Sequence, residues 1–478
     1  MNIPSIRLSA LLGIILIGFF VRLHAITNQP LDWHAFRQAD TASVTREYTK
    51  NGINILLPKY HDLSNIASGT DNPEGYRMVE FPLINAVIAS IVLAIPALPL
   101  ELAHRLLSVF LSLGSIALLF HFTKAISGYR VAIFTAALFA LLPFNIYYSR
   151  VILPEPALVF SFLLGLWSFE KWLSTQKLNW YLLSVVSIAL ALLLKPFIAF
   201  FAPVFLALVY TRMKRTLLNG ALLGVYAGVV AAPFAWWRFW ISQFPEGIPA
   251  SDWLFNSDGI RFRPAWFRWL GYERLIVLML GYVGSIFVMV SWFKMNKEEW
   301  LVYGTWIIGS LAYLAIIATG NVRHDYYQVI LIPIICIIVA RGIIVLQQLL
   351  GRFVLPVVAS SIIGLLLITA LILSWQQVSG FFTINNWEYI EAGKAVRRLT
   401  PEDALVIAPA FGDTLFLYQT HRRGWPIGYH IEEKIDQGAT HYVSTSYDDE
   451  ARELEEQYFT LEKTPTYILI DLTRSHDS

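Results

Sequence analysis

Long apolar runs separated by short polar segments dominate the first 375 residues of the chain. A helix needs about 20 apolar residues to cross a bilayer. Eleven runs approach that length, at 8–25, 103–123, 130–148, 157–172, 179–194, 196–211, 217–236, 274–293, 300–318, 326–346 and 353–375. The pattern therefore predicts about eleven transmembrane helices. The first run follows Arg7, and no small-residue cleavage pattern comes after it, so we interpret it as an uncleaved anchor.

One further apolar run, 82–100, contains three prolines and is ambiguous. Loop charge decides it, because Lys and Arg accumulate in cytoplasmic loops. If 82–100 does not cross, the cations that flank the later spans are cytoplasmic together with Arg7. These cations are Lys124, Arg130, Lys171, Lys177, Arg212, Lys214, Arg215, Lys294, Lys297, Arg341 and Arg352. We therefore expect 82–100 to be a helix that lies in or dips into the outer interface, with the N-terminus in the cytoplasm.

This topology assigns several polar segments to the extracytoplasmic face. They are the first loop (26–102), the loop 149–156, Lys195, the loop 237–272, the loop 319–325 and the tail 376–478. The loop 237–272 is an exception to the charge rule, because it carries four arginines outside. Phosphate binding is a functional explanation for them.

The tail 376–478 changes character and has a soluble composition. Apolar runs at 403–408, 441–445 and 466–471 alternate with helix-like stretches at 387–399, 431–437 and 449–457. This alternation predicts a small extracytoplasmic α/β domain. The expected fold is an all-α polytopic membrane domain over 1–375, with interfacial helices in its first loop 26–102, followed by the α/β domain 376–478.

Composition supports the membrane class and argues against a soluble protein and a disulfide-stabilised one. Hydrophobic residues make up 56% of the chain and charged residues 15%, against about 25% charged in soluble proteins. The 36 Lys and Arg nearly balance the 34 Asp and Glu, and no nucleic acid is expected as a partner. The single cysteine, Cys336, excludes an intramolecular disulfide framework.

The first loop concentrates reactive side chains in nine residues. Asp32, His34, Arg37, Gln38 and Asp40 all lie there. One interpretation is a solvated interfacial helix with an internal Arg–Asp pair. The other is an outward-facing acid/base and anion-binding site.

Two further acids stand at the start of apolar helices. Glu80 precedes Phe81-Pro82, and Glu155 lies between two prolines, five residues after Arg150. A carboxylate favours a helix N-terminus, but an acid at the edge of a membrane segment is costly unless it is paired or functional. Both interpretations stay open for each acid.

The outer cations and aromatic residues suggest phosphate binding. Lys195 lies between two apolar helices. A late loop contains six contiguous polar residues, Arg323, His324, Asp325, Tyr326, Tyr327 and Gln328. Cationic donors bind phosphate oxygens through charge-assisted hydrogen bonds. Snorkelling of Lys195 and an aromatic belt are the alternatives.

With these residues the chain resembles the membrane glycosyltransferases of the C-type fold, in the branch of protein O-mannosyltransferases and lipid A aminoarabinose transferases. The resemblance rests on the acidic first loop, Glu80-Phe81-Pro82-Leu83, the segment from Arg150 to Pro156, and the Arg323–Tyr327 run before Pro333. It implies a polyprenyl-phosphate-linked sugar donor, transfer outside the cytoplasm, and a first-loop aspartate that engages the acceptor.

The chain departs from the family pattern in two places. Relatives often carry an Asp-Glu pair where this chain has Arg37-Gln38, so the family aspartate corresponds to Asp32 or Asp40. Relatives also commonly have Pro-Pro or Lys-Pro-Pro after the glutamate, and here Phe81 intervenes. Lys195 or Arg323 is then expected to make the lysine's contact with the lipid phosphate.

The expected function is transfer of a sugar to a glycan, lipid or protein of the cell envelope, such as lipopolysaccharide, by a multi-pass protein of the plasma or inner membrane. Asp32 or Asp40 is expected to act as the base on the acceptor hydroxyl or to orient it. Glu80 is expected to hold the sugar or the acceptor, and Glu155 to shape the same pocket. His34, Arg37, Gln38, Arg150, Lys195, Arg323, His324, Tyr326 and Tyr327 are the candidate substrate and phosphate ligands. No cofactor is required, and no metal-binding spacing supports a divalent ion. An oligosaccharide polymerase or ligase, and a non-catalytic transporter, are the alternatives.

Overall fold

The computed structural model describes residues 3–213 and 216–476, with side chains from Ser9 onward. The predicted cytoplasmic cations Lys214 and Arg215, and the side chain of Arg7, lie outside this description. The chain forms two compact units. We call the first, within 1–26, 105–238 and 251–381, the membrane unit. The second, within 27–104, 239–250 and 382–478, is the sheet unit.

In this grouping the first loop and the tail belong to the same unit, and the predicted division into 1–375 and 376–478 stays a prediction. In one backbone contact between the tail and the first loop, Gly424 N–H donates to the carbonyl of His61 at 2.9 Å. In another contact within this unit, Met78 N–H of the first loop donates to the carbonyl of Gly247 at 2.7 Å.

The membrane unit is helical. Its longer helices are Ile3–Arg22, Leu100–Leu141 (whose first residues belong to the sheet unit), Glu155–Thr175, Leu178–Leu194, Ala202–Arg212, Leu217–Ile241, Lys297–Ile316, Ile332–Leu350 and Pro356–Val378. Shorter helices are Pro143–Tyr148, Trp253–Asn256, Pro264–Phe267, Ser285–Val290 and Ala318–Arg323, with a π-helix at Arg268–Met279. Short 3-10 helices lie at Pro196–Phe201, Ser257–Phe262, Asp325–Leu331 and Ser379–Phe382.

By length and composition, five of the described helical stretches suffice to cross a membrane. They are Leu100–Leu141, Leu217–Ile241, Lys297–Ile316, Asp325–Leu350 and Pro356–Leu399. The predicted total of eleven is not confirmed and stays a prediction. Part of the difference lies in interrupted helices. Gly128, with φ 80°, breaks Leu100–Leu141 between the predicted spans 103–123 and 130–148.

The predicted span 274–293 is also interrupted. The π-helix Arg268–Met279 ends before Gly281 and Tyr282, which have φ values of 51° and 58°, and the chain resumes helix at Ser285. At Gly281 a Cβ atom would overlap the carbonyl oxygen of Ala370. The close approach of these two segments and the positive φ both require glycine there.

Arg22 is fully buried in the membrane unit and stabilises a helix end. Pro143 lacks an N–H, so the carbonyl of Phe139 has no helical donor. Arg22 Nη2 donates to that carbonyl at 3.2 Å, and Asn145 Nδ2 donates to it at 2.6 Å. Arg22 Nη1 donates to the carbonyl of Ala140 at 2.8 Å. Buried backbone acceptors thus obtain the donors that they need.

The sheet unit contains five strands in the order β2-β1-β3-β5-β4. They are β1 Leu405–Ile407, β2 Arg423–Trp425, β3 His441–Ser444, β4 Tyr458–Lys463 and β5 Ile468–Ser475. β1 pairs in parallel with β2 and β3, whereas β5 pairs antiparallel with β3 and β4.

Sequence patterning found much of this unit. The runs 403–408, 441–445 and 466–471 contain β1, β3 and the first half of β5, and the helices Trp387–Leu399, Ile431–Asp436 and Asp449–Gln457 lie where expected. The strands β2 and β4 and the helix Leu415–Thr420 were missed. β2 has only three residues, two of them Arg423 and Gly424, so it shows no apolar run.

The first loop adds two helices to the sheet unit, Ala35–Asn51 and Leu83–Ala94. The second has 12 residues, or about 18 Å at the helical rise, against a hydrocarbon core of about 30 Å. The helix by itself is thus shorter than the hydrocarbon core, and the interfacial placement of 82–100 stays a prediction. It packs against Ala35–Asn51 through a cluster that includes Val44, Tyr48 and Ala89.

Gly424 joins the first loop to the edge of the sheet. Its N–H donates to the carbonyl of His61, and its own carbonyl accepts from the N–H of Leu63 at 2.8 Å. Residues around Asp62 thereby pair in parallel with β2 and cover a strand edge that would otherwise be open.

We expect Gly424→Ala to detach the first loop from this edge. The φ of Gly424 is 152°, and a Cβ atom would overlap the carbonyl oxygen of Val406. The expected loss is about 2–4 kcal/mol of stability, measured as a lower midpoint of thermal unfolding. Gly380→Ala is the control, because a Cβ there meets nothing within 4 Å. An unchanged midpoint for Gly424→Ala would contradict this role.

Candidate functional site

The helix Ala35–Asn51 carries the first-loop candidates of the sheet unit. It begins after His34, which has φ 55°, and it buries Arg37, Gln38 and Asp40. His34 itself packs edge-on against Trp33, with ring centroids 5.1 Å apart. Three of the predicted site residues are therefore enclosed by protein and do not lie on a solvated face.

Arg37 forms an ion pair with Glu80, and the two side chains are 9% and 17% exposed. The pair joins the helix Ala35–Asn51 to the segment that precedes Leu83–Ala94. A buried guanidinium needs a carboxylate or equivalent acceptors. Arg37 was predicted to bind substrate or phosphate and Glu80 to hold the sugar or acceptor, and the structure brings the two together.

Asp40 and Asp32 have different surroundings. Arg77 Nη2 donates to Oδ2 of Asp40 at 2.6 Å, and Thr414 Oγ1 donates to Oδ1 at 2.6 Å. Both oxygens of Asp40 are thus engaged. Asp32, 3% exposed, accepts a hydrogen bond at Oδ1 from Gln38 Nε2 at 2.6 Å.

Two carboxyl groups missed by the sequence analysis lie in the same unit. Burial raises the pKa of Asp413 to about 7, and the charge of nearby Asp40 acts in the same direction. Burial also raises the pKa of Asp62 to about 6. No local pattern marks these residues, because the burial that shifts them comes from packing of the tail with the first loop.

In the membrane unit, Glu155 and Lys195 form a buried ion pair. The ammonium nitrogen lies 4.5 Å from the ring centroid of Tyr327 and 5.0 Å from that of Tyr326. These four residues line one small enclosed cavity. The second oxygen of Glu155, Oε2, is buried and has no hydrogen-bond partner among the described residues.

Asp325 is a further buried acid of the membrane unit. Tyr148 donates to its Oδ1, and Arg274 Nη1 donates to its Oδ2 at 3.2 Å. Neither Tyr148 nor Arg274 was predicted as a site residue. Arg274 is the first residue of the predicted span 274–293, and a cation in that place was a signal that the sequence analysis did not use.

The remaining predicted ligands differ in exposure. Arg323 is 55% exposed and lies 3.8 Å from Asp258. His324 stacks on Tyr326, with ring centroids 5.3 Å apart. Arg150 is fully buried and donates to the carbonyl of Ala25 at 3.0 Å. Of these cations, only Arg323 is open to solvent.

The membrane unit also contains an apolar groove. Leu270, Leu311, Leu331 and Ile338 are among the aliphatic residues that line it, and Gly271 leaves open space in its wall. Arg274 and Gln328 also line the groove. The groove therefore combines a hydrocarbon surface with a cation and an amide, which suits an amphiphile with a polar or anionic head.

The structure distributes the predicted residues over the two units. Asp32, Arg37, Gln38, Asp40 and Glu80 belong to the sheet unit, whereas Glu155, Lys195, Arg323, His324, Tyr326 and Tyr327 belong to the membrane unit. Within 3–213 and 216–476, no three His, Cys, Asp or Glu side chains are grouped so as to hold a metal ion.

Comparison with known proteins gives the fold a family context. Residues 93–249 match the family described as dolichyl-phosphate-mannose-protein mannosyltransferase. The crystal structure of ArnT from Cupriavidus metallidurans bound to undecaprenyl phosphate is 14% identical, with 97% of each chain covered and a TM-score of 0.67. The protein has the C-type glycosyltransferase fold. The predicted resemblance is thereby confirmed.

Two further C-type structures are similar to the chain. The archaeal oligosaccharyltransferase AglB from Archaeoglobus fulgidus, in complex with an inhibitory peptide and a dolichol-phosphate, is 12% identical. It matches 96% of this chain and 74% of its own, with a TM-score of 0.60. The arabinofuranosyltransferase AftD from Mycobacteria is 13% identical over 98% of this chain and 42% of its own, with a TM-score of 0.57. No curated protein sequence matches the chain.

The raised pKa of Asp413 predicts a pH dependence of stability. An unfolded aspartate titrates near about 3.9, so between about pH 4 and 7 the unfolded chain releases a proton that the folded chain retains. Stability therefore falls as the pH rises through this window. Asp413→Asn should flatten the fall and raise the thermal midpoint at alkaline pH by about 2–4 °C, measured by melting curves over a pH series.

Asp449→Asn is the matched control, since the side chain of Asp449 is 93% exposed. Its melting curves should follow those of the wild-type protein at every pH. An equally steep fall in Asp413→Asn and in the wild type would contradict the assignment to Asp413.

Proposed function

We propose that this protein is a membrane glycosyltransferase that moves a sugar from a polyprenyl-phosphate donor to an acceptor on the extracytoplasmic face. The observation that carries the proposal is the apolar groove lined by Arg274 and Gln328. Binding sites for organic ligands are mostly apolar, with a few placed polar groups. A prenyl chain supplies the apolar surface, and its phosphate is a partner for the guanidinium.

The fold supports this donor class. The ArnT structure that aligns over 97% of both chains was solved with undecaprenyl phosphate, and the AglB structure contains a dolichol-phosphate. We carry the lipid-phosphate donor over to this chain on that basis. The sugar is a hexose or pentose, and the acceptor is a glycan, lipid or protein.

The proposed reaction is a direct displacement at the anomeric carbon of the donor sugar. A hydroxyl oxygen of the acceptor forms the new bond, the bond to the phosphate oxygen breaks, and a carboxylate receives the acceptor proton. The leaving polyprenyl phosphate carries the developing negative charge. Cationic side chains that are already oriented stabilise that charge.

We assign the base to Asp32. Its alternative, Asp40, is engaged at both oxygens by Arg77 and Thr414, which favours a structural role for Asp40. Gln38 orients the carboxylate of Asp32 through its hydrogen bond to Oδ1. Arg37 and Glu80 form the adjacent ion pair, and we assign them to binding of the sugar or acceptor.

In the membrane unit we assign the phosphate to Arg274, with Arg323 and His324 as further cationic or polar contacts. Asp325 pairs with Arg274 as Glu155 pairs with Lys195, but Arg274 lines the groove and Lys195 does not. We therefore assign the Glu155–Lys195 pair to shaping the pocket with Tyr326 and Tyr327. The proposed reaction does not require a metal ion. We propose the plasma or inner membrane as the location, with the N-terminus in the cytoplasm and the tail outside.

The direct test is transfer from a defined donor. The full-length protein in lipid nanodiscs is mixed with undecaprenyl-phosphate-linked sugars and an envelope-lipid extract, and release of undecaprenyl phosphate is followed together with sugar transfer. Transfer that requires the protein supports the proposal. Failure with every lipid-linked donor, in protein that is folded and monodisperse, would refute it.

Asp32→Asn should lower kcat by roughly a hundredfold or more, because the variant retains the shape but cannot accept the proton. The same assay gives kcat and KM. The matched comparison is Asp40→Asn, which weakens the contacts with Arg77 and Thr414. This variant should lower the midpoint of thermal unfolding, whereas its kcat should fall less than that of Asp32→Asn. Equal kcat in Asp32→Asn and wild type would remove Asp32 from the mechanism.

Gly271→Leu should raise KM for a long-chain donor by about tenfold, because its side chain occupies groove volume that the prenyl chain needs. The kcat should change little, and a donor with a short prenyl chain should be affected less. A Cβ at Gly271 meets nothing within 4 Å, so the variant should fold. The control is Gly304→Leu, which is also unobstructed but does not line the groove. A KM equal to that of wild type would argue against this groove.

A further inference from the structure

A second recess lies in the sheet unit, at the edge of its antiparallel half. It is a cavity of about 310 Å³ between the helix Trp387–Leu399, β3 and β5. That volume is at the lower end of the range typical of small-ligand sites. None of the proposed catalytic or donor-binding residues lines it.

Two polar side chains in this cavity are more than nine-tenths buried. His441 is 6% exposed and Asp471 is 8% exposed, and they lie directly opposite each other on the paired strands β3 and β5. Buried polar side chains normally satisfy their hydrogen-bonding capacity. A histidine and an aspartate that both line a cavity therefore point to a ligand or to ordered water.

Each of these side chains is held by a neighbour at one atom. His441 Nδ1 lies 2.8 Å from Thr440 Oγ1. Asp471 Oδ1 accepts from the hydroxyl of Thr473 at 2.6 Å and from its N–H at 3.0 Å. These contacts engage Nδ1 of His441 and Oδ1 of Asp471, and the second polar atoms, Nε2 and Oδ2, are not among the enclosed atoms that lack a partner. The neighbours thus fix both orientations and leave one polar atom of each for a ligand.

The charge of the lining restricts the ligand. Asp403 and Asp471 contribute two carboxylates, and none of the described residues lining the cavity is Lys or Arg. Burial lowers the pKa of His441 against the opposing charge of Asp471, and the charge of nearby Arg422 lowers it further, which disfavours the protonated imidazole. An anionic ligand is disfavoured by this lining.

The lining also restricts shape and chemistry. Leu399, Pro401 and Leu461 form an aliphatic wall, whereas the carboxylates, the threonine hydroxyls and the neutral imidazole are mainly acceptors of hydrogen bonds. Asp403, His441 and Asp471 are not grouped so as to hold a metal ion. A ligand that fits this lining presents hydroxyl groups to the acceptors and C–H groups to the aliphatic wall. A pyranose or furanose ring has both kinds of surface.

We infer that the cavity bounded by His441, Asp471, Asp403 and the Leu399–Leu461 wall binds one uncharged sugar unit. The site is separate from the groove of the membrane unit, and it does not depend on the transfer reaction proposed above. An accessory sugar site of this kind binds a glycan without catalysing a reaction on it. Attachment at a second site raises the effective concentration of the glycan at the protein.

The test is saturation-transfer NMR on the full-length protein in lipid nanodiscs, which avoids sugar-based detergents. Glucose, galactose, mannose and N-acetylglucosamine are the neutral probes, and glucuronate is the anionic probe. At least one neutral sugar should bind in the millimolar range, with saturation of its ring C–H protons. Glucuronate should bind more weakly than the best neutral sugar.

His441→Gln and Asp403→Asn should each weaken binding by about threefold to tenfold, which corresponds to the loss of one hydrogen bond. Asp403 is exposed, so its variant tests the site even if His441→Gln fails to fold. His430→Gln is the control, because His430 is an exposed histidine of the same unit that is paired with Glu433. Its binding should equal that of wild type.

Three results would overturn the inference. They are the absence of saturation with every neutral sugar, binding that is unchanged in both His441→Gln and Asp403→Asn, and tighter binding of glucuronate than of any neutral sugar. Because this readout does not involve transfer, a glycosyltransferase that lacks the accessory site would still pass the earlier assay.

Discussion

The guanidinium of Arg46 holds the first-loop helix against the tail in the sheet unit. It donates to the carbonyl of Tyr418 at 3.1 Å and to the carboxylate of Glu101 at 2.8 Å, and it stacks on the Tyr418 ring. The carbonyl of Tyr418 lies at the C-terminal end of the helix Leu415–Thr420, where the helix dipole favours cations. Lys50 donates to the carbonyl of His421 at 2.9 Å, and Arg397 donates to that of Gln419.

Several features of the sheet unit depend on this junction. It fixes the helix Ala35–Asn51, and hence the positions of Asp32, Arg37 and Asp40. The tail in return supplies Thr414 to Asp40, and the chain around Asp62 pairs with β2. The tail is therefore a structural part of the candidate site in the first loop, although it lies more than 300 residues away in sequence.

The membrane unit follows the same requirement that buried charge be compensated. Glu155 pairs with Lys195, and Arg274 pairs with Asp325, which also accepts from Tyr148. Arg22 has backbone carbonyls as its acceptors instead. Removal of one member of such a pair leaves an uncompensated charge in a low dielectric, which costs several kcal/mol. Pairs of this kind thus hold helices together and also preorganise a site for a charged substrate.

The local sequence pattern was sufficient to predict those features that depend on a single segment of the chain. Hydropathy alone indicated the membrane class, and alternation of apolar and polar residues located β1, β3 and three tail helices. The spacing of acids and cations also singled out Glu155, Lys195, Arg37 and Glu80. The interruptions at Gly128 and Gly281 were less visible, because a hydropathy window averages over a single residue with positive φ.

The sequence by itself determined the membrane class, the short helix at 82–100 and a set of charged candidates. Only the tertiary structure decided which charges meet, because ion pairs such as Arg37–Glu80 and Glu155–Lys195 join segments about 40 residues apart. It also shows that Arg77 and Thr414 engage both oxygens of Asp40. The burial and pairing of an ionisable side chain depend on all the segments that surround it. The local sequence pattern contains only the segment to which that side chain belongs.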